Sequence, residues 1–450
     1  MSETRLENQK ELWGHPVGLY ILFFTEMWER FSYYGMRAIL VLYITGKVID
    51  ENPGMGWTDL EALKLYGWYT MLVYVASIPG GIIADRILGQ KKAVLWGGVI
   101  LVAGHSILAI TQDWAFFTGL GLIIAGVGML KPNISTMVGG LYVPGDERRD
   151  KGFTIFYIGI NVGAFLSSLL VGYVGENIGW HYGFGLAGIG MALGLVVYLY
   201  GQKYLTHVGN FLGSKENPEN EAFNKPLTNI EIDRMKVMFL SFLIIIVFWG
   251  AFEQAGGLMN LYAEDKTNRM LGGFEVPASW FQSLNAGFII TLGTLVAGFW
   301  YRWKMKGREA SSLFKMAIGV IIMGWGFLFM RFASQQFEAT GSSAMYWLVL
   351  AYLFHTIGEL CASPVALSFI TKLAPVKYMA FMMGAYFAAT GIGNKVAGLL
   401  GESAQSLGET TIFTGIAVFC TIVGILVIAL LGPLKRLTHG AEDIVLEDTH

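Results

Sequence analysis

The chain has 450 residues, of which 54% are hydrophobic and 14% charged, with a formal net charge of −2 and two cysteines. Soluble domains carry about 25% charged residues, so the composition argues against a water-soluble fold. The charge balance argues against a nucleic-acid partner, because no basic stripe is present and the Lys and Arg stand mainly in short connections.

Taken from the N-terminus, the stretch MSETRLENQKELWGHP is polar and mixed in charge. The first apolar run is too long for a signal-peptide core and lacks a clear cleavage site, so it reads as an uncleaved helix. Apolar runs of about 20 residues then recur. Spans are predicted near 17–45, 63–84, 91–110, 115–139, 152–174 and 182–204, and again near 236–263, 280–301, 313–332, 344–373, 380–400 and 411–434. The expectation is an all-α integral membrane protein with twelve transmembrane helices. They form two six-helix bundles, residues 1–204 and 236–450, joined by the polar connection 205–235.

Basic residues set the orientation. Arg86, Lys91 and Lys92; Arg148, Arg149 and Lys151; Lys203, Lys215, Lys225 and Arg234; Arg302 to Arg308; Lys372 and Lys377; and Lys435 and Arg436 share one side. Lys47, Lys266 and Arg269 are the few on the other. By the positive-inside rule both termini and the central connection are cytoplasmic. Cys361 and Cys420 lie in apolar runs as buried thiols, with neither a disulfide framework nor a zinc motif.

Within the first span, EMWERFSYYGMR places Glu26, Glu29, Arg30, Tyr33 and Arg37 on one narrow helical stripe. Each charge at bilayer depth costs about 2.5–3.5 kcal/mol on insertion scales, so four cost on the order of 10–14 kcal/mol. Such a stripe must face protein or water. The other deep ionisable residues are His105 and Lys131 in the first half, and Glu253, His355, Glu359 and Lys395 in the second. The first half is thus positive at depth and the second mainly acidic. A cleft between them suits a small zwitterion, its carboxylate near Arg37 and Lys131 and its ammonium near Glu359. Glu26 and Arg30 are an i, i+4 pair, and Glu29 is expected to reach Lys131. A buried glutamate released from a basic partner picks up a proton, which suggests proton coupling.

GGIIADRILGQKK, Gly80 to Lys92, resembles the motif between the second and third helices of the major facilitator superfamily. The resemblance implies the major facilitator fold, with Asp85 and Arg86 in conformational gating. More specifically, ExxERFxYYG from Glu26 to Gly35 and FYIGINVGAFLSSLLVG from Phe156 to Gly172 resemble the two signatures of the proton-coupled oligopeptide transporter (POT/PTR) family. FWGAFEQAGG around Glu253, WFQSLNAGFI around Asn285 and GELCASPVALSFITKLAP from Gly358 resemble that family's helices 7, 8 and 10.

The resemblance implies residue roles. Glu26, Glu29, Arg30, Lys131 and Glu253 would couple proton binding. Arg37 and Lys131 would hold the peptide carboxylate and Glu359 the amino terminus, while a Lys131–Glu359 link would close the inner gate. Tyr33, Tyr34, Tyr74, Tyr157, Asn161, Asn285 and Ser363 would line the pocket, where amides and hydroxyls satisfy a peptide backbone. The implied function is import of di- and tripeptides and peptide-like compounds with protons, by alternating access.

Three features depart from the family pattern. The connection 205–235 holds no extra apolar spans. Gln254, Met259 and Asn260 stand where an acidic partner for the helix 1 arginine is expected, leaving Arg37 to pair with Glu253 directly. The second-helix histidine of animal members is absent. His355 and Glu359 are i, i+4 without a third ligand, so no metal is expected, and neither histidine is given a role. No cofactor is called for, since no P-loop is present, and no GxSxG, HExxH or paired catalytic Asp suggests an enzyme. The expected partners are small peptides, protons and the lipid bilayer. The chain is expected to work as a monomer in a plasma membrane of bacterial inner-membrane type. The rival readings are a transporter of the same fold with another cargo and a peptide-sensing receptor.

Overall fold

The computed structural model describes residues 9–143, 146, 148–210, 226–375 and 378–441. Lys215, Lys225 and Lys377, and residues 211–225 of the connection, lie outside the described residues.

The chain is built from helices: α1 Val17–Thr45, α2 Asp59–Val75, α3 Ser77–Ile83, α4 Gln90–Leu108, α5 Asp113–Gly139, α6 Arg148–Asn177 and α7 Trp180–Gly201. After the connection come α8 Asn229–Phe252, α9 Leu258–Lys266, α10 Ser283–Met305, α11 Ser312–Thr340, α12 Met345–Leu373, α13 Met379–Leu407, α14 Glu409–Ala429 and α15 Leu431–Leu437. Among the described residues, ten helical stretches are long and apolar enough to cross a membrane. The 29-residue helices α1 and α13 are not among them. For α1 the charge stripe is the reason: every 18-residue window holds Glu29 and Arg30 plus Glu26 or Arg37.

Local chemistry sets the helix ends. Thr58 and Thr228 open α2 and α8 with reciprocal caps, each hydroxyl taking the backbone N–H three residues on while Glu61 or Glu231 returns to the cap. The segment Ala84–Leu88 widens into a π-turn that stops at Gly89, whose φ of 77° favours glycine. In the same motif, a Cβ on Gly80 would lie 2.0 Å from the Gly128 carbonyl oxygen. The close crossing of α3 and α5 therefore requires glycine there.

Helix α1 packs most extensively on α6 and α7, and α4 on α5 and α7. Helix α11 packs on α12 and α14, and α8 on α13. Two seams join helices from either side of the connection, α2 with α13 and α6 with α10. The outward face of α14 presents Val418, Phe419, Ile422, Ile425 and Leu426, an apolar row suited to lipid. Among the described residues the strands are three two-residue pairs in loops, one of them the hairpin Glu11–Leu12 with His15–Pro16.

Candidate functional site

A cavity of about 1460 Å³ lies between α1, α2, α5 and α6 on one side and α8, α10, α12 and α13 on the other. Of the residues singled out in the sequence, Glu26, Arg30, Tyr34, Arg37, Tyr74, Lys131, Tyr157, Asn161, Glu253, Asn285, Glu359 and Ser363 line it, and so does Asp85. The cavity runs out past the exposed Asp85, Arg149 and Thr371. Its far end is shut.

The shut end is built from three contacts. Arg37 Nη1 donates to both Glu253 oxygens at 2.9 and 3.0 Å, and both side chains are buried. One residue on, the Ala38 carbonyl accepts from Asn260 Nδ2 at 2.8 Å and from Gln282 Nε2 at 3.3 Å. Finally, Glu176 at the end of α6 accepts from the backbone N–H of Ala278 and Ser279 and from the Ser279 hydroxyl. Arg269 approaches Glu176 at 3.8 Å while pairing with Glu264 and Glu275. These bonds join α1 and α6 to the segment around α9 and the start of α10.

The cationic side chains that line the cavity, Arg30, Arg37, Lys131 and Arg149, all stand on the first side, with Glu26 and Asp85 among them, while Glu253 and Glu359 stand on the second. On α1, Arg30 Nε is 2.9 Å from Glu26 and also pairs with Glu29, and all three are buried. Lys131, from α5, makes no ion pair among the described residues; its ammonium stands 3.8 Å from the centre of the Tyr74 ring. On the α12 wall, Glu359 accepts from Asn285 Nδ2 at 2.7 Å, and the same amide reaches Thr356 Oγ1 at 3.1 Å. Pro132 follows Lys131 inside α5, and Pro364 lies five residues past Glu359 in α12. Each proline leaves the carbonyl four residues before it, Gly128 or Leu360, without its helical N–H donor.

Two expectations, for Glu29 and for Tyr33, are corrected, and the other residues singled out in the sequence are placed as follows. Glu29 contacts Arg30 rather than Lys131 and is sealed from the cavity, at 0% exposure, because Arg30 stands in front of it. Lys131 and Glu359, expected to link when the inner gate is closed, stand on opposite sides of the cavity in this conformation. Tyr33 does not line the cavity; its ring packs edge-on against Tyr34 and faces Tyr69 of α2. Arg86 is exposed beside the π-turn and is not among the lining residues. Lys395 pairs with Glu402 on its own helix, at 3.1 Å. His105 packs beside Gly188, and His355 lies 4.4 Å, centre to centre, from the Phe327 ring; neither reaches the cavity.

The sequence reading also missed participants. Tyr66 donates to Glu253 Oε2 at 2.9 Å. Gln282 helps shut the far end, and Trp249, Tyr352 and Tyr386 add aromatic lining. The aromatics carried no distinguishing mark among 20 tyrosines and 13 tryptophans.

The family described as the POT family matches residues 91–228 and 221–411. A peptide transporter, YePEPT, of Yersinia enterocolitica is 34% identical over 98% of this chain and 99% of its own length. A di-/tripeptide transporter of Lactococcus lactis subsp. cremoris is 33% identical over 96% and 98%. Among solved structures, peptide transporter POT in complex with sulfate superposes with a TM-score of 0.90 at 34% identity, covering 97% of this chain and 99% of that one. A POT family transporter in complex with 5-aminolevulinic acid superposes with a TM-score of 0.87 at 30% identity, covering 95% and 98%. With matches that span the helices, the signature residues and the cavity together, the chain belongs to the POT family of transporters.

Proposed function

We propose that this chain is a symporter that imports di- and tripeptides with protons by alternating access. The observation that carries the reading is the cavity's division of charge. Arg30, Arg37 and Lys131 stand on the walls contributed by residues before the connection, and Glu359 with Asn285 stands opposite. A peptide's carboxylate and ammonium fit that pair of poles, and side-chain amides and hydroxyls meet its backbone. The relatives named as peptide and di-/tripeptide transporters support the same cargo. The relative that holds 5-aminolevulinic acid supports a ligand carrying both an amine and a carboxylate.

In this reading α1 and α13 cross the membrane as well, giving twelve spans in two six-helix bundles, residues 1–204 and 236–450. The shut end faces outward and the cavity opens to the cytoplasm, where Asp85 and Arg86 bear on gating. An outward-open form takes a proton on Glu26, Glu29 or Glu253, and a peptide bridges Arg37 and Lys131 to Glu359. Neutralising a glutamate releases its basic partner to the ligand, the bundles rock, and the Lys131–Glu359 link of the outward-open form gives way to the separation seen here. Peptide and proton then leave inward. One proton crossing ~100 mV contributes ~2.3 kcal/mol and one pH unit ~1.4 kcal/mol. Together they concentrate a net-neutral peptide on the order of several hundred-fold. The chain acts as a monomer in a bacterial inner membrane with both termini cytoplasmic.

The test is uptake of labelled di-alanine into proteoliposomes under an inward proton gradient and a negative-inside potential. The expected result is accumulation abolished by an uncoupler and not competed by N-acetyl-di-alanine, which lacks the ammonium. Accumulation that survives the uncoupler, or equal competition by the acetylated peptide, would contradict the reading.

A further inference from the structure

Tyr66 sits in the middle of α2, 1% exposed, and points its hydroxyl at the carboxylate that closes the far end of the cavity. It donates to Glu253 Oε2 at 2.9 Å, on the same oxygen that lies 2.9 Å from Arg37 Nη1. Glu253 is the first residue of a short 3₁₀ turn, Glu253–Gly256, that interrupts the span between α8 and α9. The turn brings Gly256 against the tyrosine: a Cβ there would lie 2.0 Å from the Tyr66 hydroxyl oxygen and 2.8 Å from its ring carbon Cζ. The hydroxyl therefore reaches Glu253 only because position 256 has no side chain.

We propose that Tyr66 is a positioning residue for the proton on Glu253, holding the carboxylate in its anionic, Arg37-bound form, with Gly256 as the recess that admits its hydroxyl. This role rests on the proposal that Glu253 is a coupling residue. The physical argument is one of competition. A hydroxyl that donates to a carboxylate stabilises the anion, and hydrogen bonds to charged groups are the strong ones. Protonating Glu253 weakens both the Arg37 contact and the bond from Tyr66, because a neutral carboxyl is a poorer acceptor than the anion, so the far end stays shut until a proton outcompetes both. Tyr66 is thus a neutral second lock on a charged pair.

Other charged and titratable groups face Glu253 and are left in place by the test. They are Arg37, Tyr33 and Tyr34 on α1, Tyr74 on α2, Lys131 on α5, and Tyr352 and Glu359 on α12. Of the tyrosines, Tyr66 is the one whose hydroxyl is hydrogen-bonded to Glu253 among the described residues.

The experiment follows the protonated-carboxyl stretch by infrared spectroscopy as a function of pH, on purified protein in lipid. The band belonging to Glu253 is assigned by its loss in Glu253→Gln, so the readout requires no transport and stands apart from the test of cargo. In Tyr66→Phe the midpoint of that band is expected to move upward by about one pH unit, a tenfold change in proton concentration. Gly256→Ala, which keeps the hydroxyl but evicts it, should move the midpoint in the same direction. The double variant should move it no further than Tyr66→Phe alone, a non-additivity that a purely structural effect does not produce. A Tyr66→Phe midpoint coincident with wild type, additive shifts in the double variant, or no Glu253-dependent band at all would overturn the proposal. A lost band in Tyr66→Phe with an unchanged size-exclusion profile would overturn it too.

Discussion

Neutralising Glu253 tests how the far end of the cavity is held shut. In Glu253→Gln, Arg37 keeps its position but loses a carboxylate whose two oxygens lie 2.9 and 3.0 Å from Nη1, in a site where both side chains are buried. Removing one charge of a buried pair typically costs about 3–5 kcal/mol, because the remaining charge is left uncompensated. Part of that cost vanishes when the end opens and water reaches Arg37, so the substitution favours the open form. Taking the lower figure, about 3 kcal/mol is roughly 150-fold. A closed-to-open ratio of about 99:1 would become roughly 0.7:1. The assay is a spin-label distance between Ile49→Cys and Leu271→Cys, exposed sites on the loops after α1 and α9, in a Cys361→Ser, Cys420→Ser background. A second, longer distance should appear in Glu253→Gln. A single distribution identical to wild type would refute the idea that this pair dominates closure, and would move the weight to the amides on Ala38.

Those amides give a contrasting case. Asn260→Leu keeps the bulk but removes the 2.8 Å bond to the Ala38 carbonyl; it should favour opening by about 1 kcal/mol, roughly fivefold, with the same effect at pH 6 and pH 8 in the spin-label assay. At the acidic pole, Asn285→Ala removes the 2.7 Å donor to Glu359 and should raise KM for di-alanine about tenfold while changing kcat less, as measured by initial uptake rates. Outside the membrane, His15 is buried and bonded to the Tyr142 hydroxyl at 2.8 Å; burial, then the charge of Arg148, hold its pKa below 6.5. Its neutral form is the one that fits, so the hairpin's attachment is complete above pH 6.5 and weakens as the pH falls below it. Protection factors for amide exchange at residues 11–15, which allow for the slower intrinsic exchange at lower pH, should fall between pH 7.5 and 5.5 and should lose that dependence in His15→Gln.

The charge stripe on α1 was legible because helical spacing alone puts Glu26 beside Arg30, and their 2.9 Å contact is local. The direct Arg37–Glu253 bond was foreseen for a related reason: neutral residues occupy the nearby positions on α9, which leaves the arginine one acidic partner within reach. Contacts whose acceptor is backbone leave no trace in a sequence. Nothing about Ala38 announces that two side-chain amides converge on its carbonyl. The position of Glu29 depends on tertiary packing: two carboxylates share Arg30, and Lys131 rests on the Tyr74 ring instead of pairing with either. Tyr33 and Tyr34 are adjacent in sequence, and only the tilt of α1 decides which of them faces the cavity and which faces α2. Helix α1 is 29 residues long, yet its charged stripe keeps it from being apolar enough to count among the membrane-crossing helices.

Proton coupling of peptide uptake through the buried glutamates Glu26, Glu29 and Glu253 is tested most directly by one measurement. Proton and di-alanine fluxes are recorded together in proteoliposomes for wild type and Glu29→Gln. The account predicts that wild type moves protons with peptide and accumulates it. Glu29→Gln should exchange internal for external peptide yet show neither accumulation nor peptide-driven proton flux. Retention of both fluxes by Glu29→Gln, in a fixed ratio to one another, would contradict it.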